Sequence, residues 1–237
     1  MNRASSPAGP SVGNTYSAPF VVVAAVFVTC LITANIIAAK LIAVGPWAVP
    51  AGVVIFPVSY IVGDVLTEVY GYQRARVVIW LGFACNLVAV AAIGLAGILP
   101  AAGFWDGQAA WDRILGLAPR LLAASFVAYL AGEFANAYVL ARMKVLTNGR
   151  WLWTRTVGST LVGQGLDTLI FMAVAFGGVL PAGTLGMAVL VQWLVKSAYE
   201  AAATPLTYAV VDALKRLEGG DVYDTHTRFN PFAVRNG

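Results

Sequence analysis

The 237-residue chain is too apolar for a soluble domain, since 59% of its residues are hydrophobic and only 11% are charged, against about 25% charged in soluble proteins. The mean hydropathy of +0.78 comes from apolar blocks longer than the roughly 18 residues that indicate a membrane-spanning helix. The net charge of +4 lies mainly in loops and tails, which is typical of membrane topology signals and not of a nucleic-acid-binding patch. We therefore predict an all-α, polytopic membrane protein that binds no nucleic acid.

Six transmembrane helices are predicted along the chain. The first apolar block is too long for the core of a signal peptide and has no clear cleavage site, so we interpret it as a helix. The loop at 100–119 contains two tryptophans and is predicted to hold a short amphipathic segment at the membrane surface. Residues 1–18 and 215–237 are predicted to be a flexible N-terminal tail and a soluble C-terminal tail around a membrane domain at 19–214. The predicted helices are 19–44, 51–70, 76–99, 120–143, 154–180 and 185–214, the last with a kink at Pro205.

Lysine and arginine residues are concentrated on one side of this arrangement. Because cytoplasmic loops carry an excess of these residues, both termini are predicted to face the cytoplasm. The opposite side carries only Arg113 and Arg120, while Lys40 and Lys196 are placed within helices. The basic residues on the predicted cytoplasmic side are Arg3, Arg74, Arg76, Arg142, Lys144, Arg150, Arg155, Lys215, Arg216, Arg228 and Arg235.

Two acids, Asp64 and Glu68, interrupt the second predicted helix. Because they are four residues apart, they share one face of the helix. Carboxylates in a membrane-length segment usually face a polar cavity or a partner. We interpret them either as gating residues that face such a cavity or as a structural clasp to Arg74, Arg76 or the basic loop at 142–155.

Polar side chains in the later helices recur at helical spacing, so each set presents one polar face. At about 1.5 Å of rise per residue, these faces fall near the midplane or the inner half of the bilayer. Such convergence is what the binding site of a transporter requires, and a carboxylate beside a carboxamide suits a nitrogen heterocycle rich in N–H donors. The candidate substrate-binding residues are Glu133, Asn136, Gln164, Asp167, Lys196 and Glu200, and the candidates for gating or a structural clasp are Asp64, Glu68, Asn35 and Asn86.

The helices carry five acids against two lysines, which favours a cationic or N–H-rich ligand, or proton coupling. Lys196 is expected to pair with Glu200 one turn away, either as a purely structural ion pair or within the site. Lys40 is expected to extend its ammonium to the membrane surface. Asn35 and Asn86 are equally well explained as interhelical hydrogen-bonding residues.

No catalytic, metal-binding or cofactor-binding pattern is present. The sequence contains no HExxH or GxSxG motif and no P-loop. Its single histidine, His226, is in the C-terminal tail, and Cys30 and Cys85 do not have the spacing of metal ligands. We therefore predict that the protein is not an enzyme and has no cofactor.

Four segments resemble the queuosine precursor transporter family: ANIIAAKLI (34–42), FPVSYIVGDVLTEVYGYQRAR (56–76), the run from GEFANAYVL to GQGLDTLIF (132–171) and KSAYEAAATPLTY (196–208). The resemblance implies an inner-membrane importer of the 7-deazaguanine bases preQ0 and preQ1, which are later inserted into tRNA. It also implies a fold similar to the S-components of energy-coupling-factor vitamin transporters. By the same resemblance, the residues that hold the base are Glu133, Asn136, Gln164, Asp167 and Glu200.

The mechanism stays open at this point. Without a P-loop the chain cannot itself hydrolyse ATP, so it acts either alone, as a facilitator or an ion-coupled carrier, or with an energising partner. The alternative function is transport of another vitamin or nucleobase as an S-component-like binding subunit. The glycine-rich face of the fifth predicted helix suits packing within one chain or in a homodimer.

Overall fold

The computed structural model describes residues 16–44, 47–116, 119–178, 181–225, 227 and 229–232. Within these residues the fold is almost entirely helical, with one short antiparallel hairpin. The helices are α1 (Ala18–Ile37), α2 (Phe56–Tyr70), α3 (Tyr72–Ile98), α4 (Gln108–Leu115), α5 (Pro119–Leu146), α6 (Leu152–Phe176) and α7 (Ala182–Glu218), and the strands are β1 (Leu41–Val44) and β2 (Trp47–Pro50).

Four helical segments are long and apolar enough to cross a membrane, which agrees with a multi-pass membrane protein. α2 and α7 do not meet both criteria among the described residues. With 15 residues, α2 is about 22 Å long, which is shorter than the hydrocarbon core. The four segments are Ala18–Ile37, Tyr72–Ile98, Ala123–Leu146 and Leu152–Phe176.

The first helix is shorter than predicted. It ends at Ile37, and the chain then forms the β1–β2 hairpin, in which Leu41 pairs with Pro50. The sequence contains two prolines between residues 45 and 50, and proline lacks the N–H that a continuing helix needs. The prediction that Lys40 lies within a helix was therefore wrong, since it lies in the connection to the hairpin.

A single residue, Gly71, connects α2 to α3. Its φ of +82° lies in a region that favours glycine, and a Cβ at this position would lie 2.8 Å from Cγ1 of Val222. The first N–H of α3, that of Tyr72, donates to Oδ2 of Asp224 at 3.0 Å. The turn between α2 and α3 is thus covered by the chain that follows α7.

Over its described part, the C-terminal segment packs against α3. α7 continues to Glu218, and the chain beyond it packs against the first turns of α3. Arg76 donates to the carbonyl of Asn230 at 3.0 Å, and Trp80 donates to that of Pro231 at 2.9 Å. The segment is held against α3 because its backbone carbonyls accept hydrogen bonds from side chains of α3. His226 and most of the predicted N-terminal tail lie outside the described residues.

Helices α5 and α6 pack backbone to backbone at two glycines. A Cβ on Gly132 would lie 3.0 Å from the carbonyl oxygen of Gly163, and a Cβ on Gly163 would lie 3.0 Å from that of Gly132. This agrees with the prediction that glycines of the fifth predicted helix allow close approach. The close contact brings the polar faces of the two helices together.

The loop at 100–119 contains the eight-residue helix α4, as expected for a short surface segment.

Candidate functional site

A buried group of polar residues lies where α2, α5, α6 and α7 meet, and we call it the central cluster. Nine of its ten members are at most 9% exposed, and the side chain of Lys196 is 14% exposed. Polar and charged side chains are seldom buried to this extent without a functional reason. The central cluster consists of Tyr60 and Asp64 on α2, Glu133 and Asn136 on α5, Thr160, Gln164 and Asp167 on α6, and Lys196, Ser197 and Glu200 on α7.

All six predicted substrate-binding residues belong to the central cluster. Asn136 Nδ2 donates to Oδ1 of Asp64 at 2.7 Å, which links α5 to α2. The Thr160 hydroxyl donates to Oε1 of Glu200, which links α6 to α7. Glu200 also lies within hydrogen-bonding reach of Asp64 and Gln164. The convergence expected from helical spacing is therefore present in the structure, while the role of these residues in binding stays a prediction.

Lys196 does not pair with Glu200 as expected. Its ammonium donates to Oδ2 of Asp167 at 3.0 Å and to the hydroxyl of Thr168 at 3.3 Å, and it lies 4.6 Å from the centre of the Phe56 ring. The reason is that α6 offers Lys196 a carboxylate and a hydroxyl together, while Glu200 is engaged by Thr160.

The backbone approaches the cluster closely at two glycines. A Cβ on Gly63 would lie 3.1 Å from Oε2 of Glu133. A Cβ on Gly132 would lie 2.6 Å from the hydroxyl oxygen of Tyr60 and 2.8 Å from Cβ of Asp167. Larger residues at these positions would displace the polar side chains, so the glycines make room for the cluster.

The central cluster contains every buried side-chain nitrogen or oxygen atom that lacks a hydrogen-bond partner within the described part of the chain. Such atoms are rare in folded proteins, and each costs about 1–3 kcal/mol when no partner reaches it. Their concentration in one place indicates a site built to bind a polar molecule. The atoms are Tyr60 Oη, Asp64 Oδ2, Glu133 Oε1, Asn136 Oδ1, Gln164 Nε2 and Oε1, Ser197 Oγ and Glu200 Oε2.

A second group of charges lies at the C-terminal end of α2, and we call it the basic clasp: the buried Glu68, Lys144 and Arg155 and the partly exposed Lys215 and Asp221. The Glu68 carboxylate accepts from Arg155 at 2.7 and 2.8 Å and from Lys215 at 2.7 Å, and lies 3.4 Å from the Lys144 ammonium. Lys144 also donates to Oδ1 of Asp221 at 2.5 Å. Although partial burial alone would raise the pKa of Asp221, hydrogen bonds from Lys144 and Lys215 lower it.

Of the partners considered for a clasp by Asp64 and Glu68, the one contacted within the described chain is the basic loop, and Glu68 makes that contact. Glu68 contacts the basic loop at 142–155 through Lys144 and Arg155, and neither Arg74 nor Arg76 is among its ion-pair partners in the described chain. Arg76 instead binds the C-terminal segment, because α3 turns away at Gly71. Asp64 lies one turn deeper and contacts Asn136, so the two acids belong to different clusters.

Asn35 and Asn86 lie away from both clusters. Asn35 donates to the carbonyl of Leu31 at 3.2 Å and accepts from the Ser125 hydroxyl at 3.4 Å. Both asparagines line a small, mostly apolar pocket between α1, α3 and α4. These contacts agree with the interhelical hydrogen-bonding interpretation for Asn35.

Several functional candidates were missed by the sequence interpretation. Tyr60 and Thr160 each lie four residues before an identified residue, and Ser197 lies three residues before Glu200. The same helical spacing, extended by one turn to hydroxyl side chains, would have found all three. Conversely, Tyr199 lies three residues after Lys196 but is 45% exposed and does not belong to the cluster.

No group of three or more His, Cys, Asp or Glu residues in the described segments has the geometry of a metal site. Cys30 and Cys85 are free thiols. The central cluster offers carboxyl, carboxamide, hydroxyl and ammonium groups for hydrogen bonding and charge pairing.

Comparison with known proteins gives three matches that bear on this site. A protein-family model described as "Putative vitamin uptake transporter" matches residues 50–210, which include the whole central cluster. The chain is 33% identical to the "Probable queuosine precursor transporter" of Bacillus subtilis (strain 168) over 159 residues, covering 67% of this chain and 69% of that protein. It is 31% identical to the "Queuosine precursor transporter" of Escherichia coli (strain K12) over 121 residues, covering 51% and 52%. No solved structure gives a significant match.

Proposed function

Because the chain belongs to the vitamin uptake transporter family, we propose that it imports queuosine precursors, the 7-deazaguanine bases preQ0 and preQ1 used in tRNA modification. Membership of a transporter family agrees with the prediction that the protein is not an enzyme. The substrate is supported by the names of two relatives, both queuosine precursor transporters. It is supported independently by the chemistry of the central cluster.

The observation that carries this proposal is the set of buried, unpartnered polar atoms of the central cluster. A deazaguanine presents adjacent N–H donors on its amino-pyrimidinone edge, and a carboxylate such as Glu133 accepts two of these at once. Its carbonyl oxygen needs a donor, which the carboxamide of Gln164 or the ammonium of Lys196 supplies. The base would thus satisfy donors and acceptors that the protein leaves open. The proposed base-binding residues are Glu133, Asn136, Gln164, Asp167, Lys196 and Glu200.

The basic clasp is a candidate for the cytoplasmic gate. The central cluster is buried, so the helices must separate at one end before a base can enter or leave. Glu68, Lys144, Arg155 and Lys215 join α2, α5, α6 and α7 at one end of the bundle. Opening this end requires those ion pairs to break, and Glu68 is therefore the proposed gating residue.

We propose a six-helix topology in the bacterial inner membrane, with α1, α2, α3, α5, α6 and α7 crossing the bilayer within a transporter domain at 19–214. The excess of lysine and arginine supports a cytoplasmic location for both termini and, with them, for the basic clasp. In this arrangement the short α2 and the polar α7 carry residues of the central cluster, as the broken or polar helices of transporters commonly do. A fold similar to vitamin-transporter S-components is expected.

The test is the queuosine content of tRNA in cells that lack their own precursor synthesis and importer, express this chain, and are fed low concentrations of preQ0 or preQ1. The wild-type chain should restore queuosine. Asp167→Asn keeps the size of the side chain but removes its charge, and should weaken substrate binding at least about tenfold, which is about 1.4 kcal/mol, with normal membrane expression.

Asp212→Asn is the matched control, because Asp212 lies on the exposed face of α7, and it should restore queuosine like the wild type. No restoration by a well-expressed wild-type chain would contradict the proposed substrate. In that case competition by guanine and by vitamins would test the alternative of an S-component-like subunit for another vitamin or nucleobase. Restoration by Asp167→Asn at unchanged affinity would remove Asp167 from the site.

A further inference from the structure

Asp64 and Glu200 form a pair of buried acids within the central cluster. Their carboxyl groups are close enough to hydrogen-bond to each other. One oxygen of each is engaged, since Oδ1 of Asp64 accepts from Asn136 and Oε1 of Glu200 accepts from Thr160. The remaining oxygens, Oδ2 of Asp64 and Oε2 of Glu200, are buried with no hydrogen-bond partner in the described ranges.

A single proton would satisfy both of these oxygens. Two ionised carboxylates repel each other and neither can donate, whereas a protonated carboxyl group donates its O–H to the other acid. We propose that Asp64 and Glu200 together bind one proton, and that this proton crosses the membrane with each substrate molecule. The proposal rests on the proposed function, because import fixes the direction in which the substrate moves.

Among the described residues, the cation in this cluster is already paired with another acid. Lys196 on α7 is engaged by Asp167 on α6. The other titratable groups facing the cluster are Glu133 and Tyr129 on α5 and Tyr60 on α2. α1 carries no charged residue, and the charges of α3 are two arginines in its first turns. Four buried carboxyl groups thus share one ammonium, and burying so many uncompensated charges is costly.

The proton and the base would bind side by side. Glu200 lies within hydrogen-bonding reach of Gln164, which belongs to the proposed base-binding residues. A proton on the pair lowers the negative charge beside the base while leaving Glu133 to accept its N–H donors. One proton is taken from the outer side and one is released to the cytoplasm, and only an O–H bond is made and broken. The inward proton gradient would then drive accumulation of the base.

The experiment uses the full-length chain in liposomes that contain a pH-sensitive dye, with preQ0 as substrate because it lacks the ammonium of preQ1. Exchange of labelled preQ0 without a gradient measures binding and passage of the base. Uptake after acidifying the outside, together with preQ0-dependent proton entry, measures coupling. The wild type should show both, with one proton per preQ0.

The variant Asp64→Asn separates the two activities. The ratio of acid-driven uptake to exchange should fall at least about tenfold in this variant, and proton entry per preQ0 should fall with it. Asp212→Asn makes the same chemical change on the exposed face of α7 and should behave as wild type in both assays. Elution as a single peak in detergent checks that each variant is folded.

Each contrary outcome has a distinct meaning. Exchange by the wild type without proton movement overturns the proton pair and leaves the proposed function intact. Loss of exchange in folded Asp64→Asn places Asp64 in the base site and also overturns the proposal. If the wild type exchanges no 7-deazaguanine base, the proposed function fails and the proton pair with it. The wild-type stoichiometry decides the matter even if Asp64→Asn does not insert into the membrane.

Discussion

The central cluster and the basic clasp both take side chains from α2, α5, α6 and α7. The buried polar atoms have partners in the basic clasp, whereas many of those in the central cluster have none within the described residues. In the basic clasp the carboxylate of Glu68 meets three cations, and none of its side-chain atoms is left without a partner. In the central cluster, one turn earlier on α2, the unpartnered buried atoms accumulate. Buried charge that is fully paired supports the fold, whereas buried polar atoms left open are costly and are retained where a ligand completes them.

The largest change in stability is expected from breaking the basic clasp. Arg155→Met removes the two hydrogen bonds to Glu68 and those to the carbonyls of Gly149 and Arg150. Because it leaves a buried carboxylate with fewer partners, we expect a loss of about 3 kcal/mol of stability. Thermal unfolding in detergent measures it.

The matched control for the clasp is Arg216→Met, because Arg216 is exposed near the end of α7. This variant should melt within a degree or two of wild type, since exposed charges contribute little to stability. If Arg155→Met were as stable as the control, the basic clasp would not be holding the helices together.

In the central cluster, removing a polar side chain is expected to increase the stability of the ligand-free protein. Gln164→Met keeps the volume of the side chain and removes two buried atoms that have no partner in the described chain. It should raise the stability of the ligand-free protein by about 1–2 kcal/mol and weaken binding of preQ0 at least about tenfold, or about 1.4 kcal/mol. Thermal unfolding without ligand, paired with a binding isotherm, measures both effects. A variant that is destabilised, or that binds normally, would contradict this interpretation of the cluster.

The smallest change in stability is expected from Asp221, the most exposed member of the basic clasp. The folded-state pKa of Asp221 is lowered, so its contribution to stability is present above the ordinary pKa of about 4 and is lost as the pH falls through the folded value. Asp221→Asn should therefore lower the melting temperature slightly at pH 7 and have less effect near pH 3. An equal difference at both pH values would mean that the charge of Asp221 contributes nothing.

The sequence was sufficient where a single helix determines the outcome. Spacing along α5, α6 and α7 identified six members of the central cluster, because residues three or four apart share a face whatever the fold. It failed where the partner comes from another element: Lys196 was assigned to Glu200 on its own helix, but Asp167 on α6 holds it. The sequence likewise did not reveal that Arg76 and Trp80 bind backbone carbonyls of the C-terminal segment, because that contact joins distant parts of the chain.

Because Gly71 alone connects α2 to α3, the two helices cannot move far apart from each other. A displacement of α2 must therefore be transmitted to α3 or be absorbed by rotation about the backbone of Gly71, where glycine has the widest conformational range. α2 contributes to both the central cluster and the basic clasp, and α3 holds the C-terminal segment through Tyr72, Arg76 and Trp80. A movement of α2 would therefore reach the C-terminal segment through this one joint.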